Sequence, residues 1–217
     1  MTHEMTRRLR PAVFGALALL CAALPAAAED YAVELLVFSR LAADDGEERW
    51  PLPASLPATE QALSLGEGGL QVSGGGRSVQ AIADNLRRSN GYRPLLHWRW
   101  IQPGWDRNQA RPLHVQVPAG SALPLTQPSA LASKAEMQRL RGLTDPSAVT
   151  GAGLPLLDGT VSLSRSRFLH LAADLVYVDP ATGIPMQLKE SRRMRSNELH
   201  YLDHPRFGVL VQVTPLN

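Results

Sequence analysis

LKESRRMRSNELHYLDHPRFGVLVQVTPLN, Leu188 to Asn217, is the stretch whose reading decides the fold. From Phe207 onward, Phe207, Val209, Val211 and Val213 fall on one side, with Gly208, Gln212 and Thr214 largely opposite. That two-residue period belongs to a strand with one buried face. His204-Pro205 interrupts the run before it, since proline lacks an N–H and restricts its predecessor. A buried strand this late makes closure of the domain depend on the whole chain. A chain ended at Leu188 is not expected to fold.

Upstream, Leu169, Leu171, Ala173, Leu175 and Tyr177 mark one face of a long strand. Asp179-Pro180-Ala181-Thr182-Gly183 is turn chemistry, so Phe168 to Val178 and Met186 to Arg195 should pair as a hairpin. Asp158-Gly159 reads as a further turn pair, followed by a strand over Thr160 to Ser164. Tyr31 to Phe38 is apolar on both faces except at Glu34, the pattern of a central strand. Val79, Ile82, Ala83 and Leu86 carry the helical period within Ser78 to Asn90, with Ser78 as expected N-cap and Asn90-Gly91 as stop. A strand over Tyr92 to Ile101 follows. Strand, helix and strand in that order suggest a βαβ-like unit with a right-handed crossover.

Two loop-rich insertions interrupt this pattern, at about 41–77 and 102–156. The first passes from acidic residues through Pro51, Pro53 and Pro57 to Gly74-Gly75-Gly76, with at most one helical turn near Thr59 to Leu65. Its glycines lack the lysine and spacing of a phosphate-cradling loop. The second holds a short strand within Pro112 to Val117 and a helix over Ser133 to Arg141 with a Ser133/Glu136 capping box. The expected fold is one α+β domain over 29–217, a mostly antiparallel sheet covered by a helix in a ferredoxin-like arrangement.

The first 28 residues read as a secretory signal. Arg7, Arg8 and Arg10 precede an apolar run from Ala12 to Leu24 and a small-residue site, Ala26-Ala27-Ala28. The run is shorter than the ~20 apolar residues of a spanning helix, so no stable membrane anchor is expected. Leu20 stands where a lipoprotein signal needs a small residue, which argues against lipidation of Cys21. Cleavage after Ala28 would remove three of the 22 basic and one of the 20 acidic residues, leaving the two balanced. A net charge of +2 and a pI of about 9.0 therefore give no case for a nucleic-acid partner. Cys21, the one cysteine, would leave too, and with it disulfide and thiol chemistry. A periplasmic location follows from this reading.

Catalytic signatures are missing. GxSxG is absent, and Leu131 and Met186 stand where the SxxK serine would precede Lys134 and Lys189. His200 and His204 have the spacing of two metal ligands on a helix, but the segment reads as extended and lacks the HExxH glutamate. His170 and Asp174 share a strand face yet lie about 13 Å apart along it, too far for a dyad. We expect no enzyme, no metal and no cofactor. The alternative is an envelope glycan hydrolase with an unrecognised carboxylate pair, because two carboxylates leave no spacing signature.

Binding features remain. Trp98 and Trp100 share a face with Leu96, which favours core packing over sugar stacking. Trp105, beside Arg107 in Pro103-Gly104-Trp105-Asp106-Arg107, is the expected exposed aromatic. Arg192, Arg193 and Arg195 concentrate guanidinium forks, which match carboxylates and phosphates, and the hairpin would bring Arg165 and Arg167 near. Within a strand, Arg193 and Arg195 share a side and Arg192 takes the other. A solvated charged face offset by Glu190 and Glu198 is the competing account.

These residues carry a resemblance. RFLHLAADLVYVD, SRRMRSNELHYLDHPRFGVLVQVTP, YAVELLVF and the segment around YRPLLHWRWIQP are similar to the CsiV family of peptidoglycan-binding proteins, most specifically from Leu157 onward. The resemblance implies an exported, non-enzymatic bacterial protein linked to peptidoglycan assembly, with peptidoglycan as partner and a cell-wall synthase or its activator as a second. It supplies no binding residues. Arg192, Arg193, Arg195, Trp105 and Arg107 are the expected peptidoglycan contacts, the three former through stem-peptide carboxylates.

Overall fold

The computed structural model describes residues 29–41, 51–74, 78–124 and 155–216. The expected signal segment and the Ser133 to Arg141 helix lie outside them. Nine strands and one helix form: β1 (Asp30–Arg40), β2 (Gln71–Val72), α1 (Gln80–Arg88), β3 (Tyr92–Pro103), β4 (Leu113–Val117), β5 (Leu157–Arg165), β6 (Leu169–Val178), β7 (Pro185–Met194), β8 (Leu199–His204) and β9 (Phe207–Leu216). They make two sheets, ordered β2-β3-β1-β9-β8 and β4-β5-β6-β7, and every pairing between strands is antiparallel.

The final strand lies between β1 and β8, inside its sheet. Phe207, Val209, Val211 and Val213 are fully buried and join Leu35, Trp98 and Trp100 of the same sheet in one core shared by both sheets. The second sheet contributes Val161, Leu163, Leu171, Leu175 and Tyr177. Alternation on two sheets therefore converges on one apolar layer, the arrangement of a β-sandwich. Each large side chain fully buried there contributes about 1.5–3 kcal/mol of transfer free energy. Trp98 and Trp100 are core residues, as their company with Leu96 implied.

Helix α1 covers the opposite face of the first sheet, where Val79, Ala83, Ile82 and Leu86 pack on Leu36 and Leu210. Its N-terminus departs from expectation. Val79 is the N-cap and no side chain on the helix caps it. Glu34 of β1 serves instead: it accepts the Ser78 hydroxyl at 2.9 Å and a bond from the Val79 backbone. A buried carboxylate at a helix N-terminus also meets the positive end of the dipole.

Three further expectations are corrected. β1 and β3 pair antiparallel, so the strands around α1 form no parallel βαβ crossover. The ferredoxin-like layout gives way to two facing sheets, because β4 to β7 close on one another instead of extending the first sheet. Asp158-Gly159 lies inside β5 and is no turn. Gly159 is needed there because a Cβ would stand 2.1 Å from the Asp174 carbonyl oxygen on β6. In the first insertion, Leu63 bridges Leu113 in parallel, so its end runs beside β4 without a helical turn. The 179–183 turn forms as expected, with Asp179 accepting the Ala181 N–H and Gly183 at φ 69°.

Candidate functional site

Arg165, Leu169 and Met194 are register partners across β5, β6 and β7, at the end of the sandwich where Tyr31 enters from β1. Leu169, Met194 and Tyr31 are buried there and floor a groove of about 300 Å³. The β5–β6 turn, Ser166 to Phe168, closes through a bond from the Ser166 N–H to the Phe168 carbonyl and forms one wall. The step from Met194 into Arg195 and Ser196 forms another. Asn197 takes a positive φ of 63°, a conformation asparagine tolerates, and its N–H bonds the Val213 carbonyl. The Arg195 N–H bonds His200 Nε2 at 3.3 Å, so the backbone bearing Arg195 is pinned to the first sheet.

Around this groove cations outnumber anions. Arg165 and Arg167 come from the β5–β6 hairpin and Arg195 from the end of β7. Arg193, on the outer face, holds its guanidinium 4.5 Å from the Phe168 ring centre, and Arg167 lies 5.6 Å from the same ring. Such contacts contribute about 0.5–1 kcal/mol each at exposed sites, enough to orient a half-exposed ring. Glu29 is the nearest acid, 3.3 Å from Arg165 and accepting the Tyr31 hydroxyl at 2.7 Å. Burial, reinforced by the Glu29 bond and opposed by Arg165, pushes the Tyr31 phenol up to about 12. Tyr31 is therefore a phenol that donates to Glu29. Among the described residues, none of the side chains lining the groove is a carboxylate.

The expected residues divide. Arg195 lines the groove with 79% of its side chain exposed and Glu198 3.5 Å away. Arg193 acts one step removed, through Phe168. Arg192 turns the other way: it pairs with Glu190 at 2.8 Å and donates to the Tyr201 carbonyl on β8 at 2.6 Å. It spans the seam between the two sheet edges. Arg192→Ala should cost about 1 kcal/mol in urea unfolding, given a half-exposed pair and one charged bond, and leave ligand binding unchanged. A stability-neutral variant that binds less ligand would reverse this assignment.

Trp105 is not the exposed aromatic expected. It is half-buried against the core, and its carbonyl accepts the Arg165 N–H at 2.7 Å. Gly104 makes that approach possible, since a Cβ there would lie 2.9 Å from both the Glu29 carbonyl and the Tyr31 ring. The loop therefore backs the groove. Arg107 stands exposed in the following turn and does not line it. Phe168, which sequence reading passed over, is the exposed ring. Its only signal was a position between Arg167 and the strand face.

His97, His114, His200 and His204 have structural partners. His200 and His204 lie on strand β8, where four residues separate them by about 13 Å. His97 meets Glu34 at 2.8 Å, and His114 meets Asp158 at 2.7 Å. Asp174 is engaged by Lys189 and Gln187. No helix among the described residues is long and apolar enough to cross a membrane.

Residues 70–216 match the model of a family described as peptidoglycan-binding protein, CsiV. Neither the curated proteins nor the solved structures contain a match.

Proposed function

The chain belongs to the CsiV family of peptidoglycan-binding proteins, and on that premise we propose that it is a non-enzymatic periplasmic protein that holds peptidoglycan in the arginine groove. It supports cell-wall assembly, with a synthase or its activator as protein partner. One observation carries this reading: Arg165, Arg167 and Arg195 converge on a groove with an apolar floor and an aromatic wall, and among the described residues no carboxylate lines it. Cations beside an aromatic suit an acidic, amphipathic polymer. The two acids beside the groove, Glu29 and Glu198, are held by Arg165 and Arg195, an arrangement that favours anion binding over the paired carboxyl groups of glycoside hydrolysis.

Insoluble sacculi test this reading. Purified protein should co-sediment with them and release no soluble fragments. Released muropeptides would establish the hydrolase instead, and failure to sediment would remove the binding function. Export follows from the Ala26-Ala27-Ala28 site. Osmotic shock should release a protein whose intact mass begins at Glu29. A lipid-modified Cys21 or an uncut N-terminus would contradict soluble export.

A further inference from the structure

The groove has a size and a polarity that select among the parts of peptidoglycan. Its volume of about 300 Å³ lies at the small end of ligand pockets, which run from ~300 to ~1,000 Å³. That space is about what two small residues fill, and it is small for a disaccharide bearing N-acetyl groups. Its floor is apolar, Leu169 and Met194, both almost fully buried. Arg165 ends β5 and Arg195 follows the last residue of β7, the strands on either side of β6, and both line the groove. Glu29 and Glu198 hold these two arginines at 3.3 and 3.5 Å, distances long enough that a better-placed anion displaces them.

We infer that the groove reads the free carboxyl-terminal end of a stem peptide: the terminal carboxylate pairs with Arg195 and Arg165, and small apolar side chains lie on Leu169, Met194 and the Phe168 ring. This deepens the peptidoglycan reading and rests on it. A chain that ends in the groove fits between the β5–β6 turn and the Arg195–Ser196 step. An internal side-chain carboxylate would bring main chain on both sides and would not be matched by so small a groove. A phosphate would find the cations but gain nothing from the floor. Stems whose terminal residue has been consumed in a cross-link lack this end, so the protein would favour peptidoglycan that is still uncross-linked.

The decisive probe is a soluble peptide, N-acetyl-lysyl-D-alanyl-D-alanine, titrated into the mature protein while the Met194 methyl resonance is followed. The free acid should bind and shift that resonance. Its C-terminal amide should bind at least tenfold more weakly, and inorganic phosphate should not compete at equal concentration. Arg195→Gln, at a position whose side chain is 79% exposed, should lower the affinity for the acid severalfold and narrow its advantage over the amide. A peptide that does not bind, an amide equal to the acid, or phosphate that competes equally overturns the inference. Sacculi stripped of stems by an amidase separate the two levels. If stripped and intact sacculi are bound alike, end-reading fails while peptidoglycan binding stands. If intact sacculi are not bound, the functional reading itself fails.

Discussion

Glu34→Ala should destabilise the protein by about 3 kcal/mol or more, because each buried donor left without its acceptor costs about 1–3 kcal/mol. Glu34 is 5% exposed beneath α1. It accepts from His97 Nε2 at 2.8 Å and Ser78 Oγ at 2.9 Å, and bonds the Val79 backbone at the helix start. Alanine would leave three donors without an acceptor and unseat the helix from β1. For a domain of this size the midpoint should fall by roughly 10 °C. Burial alone would raise the Glu34 carboxyl, but bonds from His97 and Ser78 and the charge of His97 outweigh it and hold the group below its ordinary value. A carboxylate so depressed contributes stability that is complete above the unfolded-state value of about 4.5 and is lost as pH falls through the folded one. Wild-type stability should therefore drop on acidification below about 4.5, and that component should vanish in Glu34→Gln. Urea unfolding across that range decides it: an alanine variant within 1 kcal/mol of wild type, or parallel acid limbs for wild type and glutamine, would show the network to be ornamental.

Glu34 illustrates what a sequence conceals. The alternation in β9 and β6 was legible because each strand has one face on the core, and the period of two survives any topology. The one polar residue in YAVELLVF was visible as an exception, but its reason was not, since His97 and Ser78 are brought to it by pairing and packing across 63 and 44 residues. Local helix chemistry favoured Ser78 as a cap, and a tertiary carboxylate took the role. Asp158-Gly159 looked like a turn because that dipeptide usually is one. Here the glycine answers to the Asp174 carbonyl on the neighbouring strand, a close approach no local rule anticipates. The two-sheet architecture was hidden for a related reason: hairpins were readable, but which hairpin edges join depends on contacts between segments far apart in the chain.

The candidate site was half legible. Charge density drew attention to Arg192, Arg193 and Arg195, and strand parity correctly set Arg192 apart. Parity could not reveal that Met194 ends β7, so Arg195 leaves the strand and turns to the groove while Arg193 stays on the sheet face. The hairpin register supplied the better partner, Arg165, through Leu169. Trp105 was chosen for its loop, yet Gly104 lets that loop pack down against Tyr31, and the exposed ring belongs to Phe168.

Charge removal at the groove should therefore separate residues that sequence grouped together. Arg165→Gln with Arg195→Gln is expected to weaken sacculus binding roughly tenfold, about 1.4 kcal/mol, from two carboxylate contacts that are each of order 1 kcal/mol or less. Arg193→Ala should weaken it less, because its guanidinium acts by orienting Phe168. Arg87→Ala with Arg88→Ala, on the solvent side of α1, should leave it unchanged and serves as the charge-matched control. Arg195 is largely and Arg165 about half solvent-exposed, so affinity should also fall as salt rises, and the double glutamine variant should have lost most of that dependence. Thermal unfolding must be unchanged in the double variant for the comparison to hold. Arg165 pairs with Glu29, so Arg165→Lys, which keeps the charge but loses the fork, provides the second reading. If lysine restores stability but not binding, the bidentate contact is the functional one. If the folded double variant binds sacculi as wild type does, the groove is not the site, and the exposed Arg107 turn behind Trp105 becomes the surface to change next.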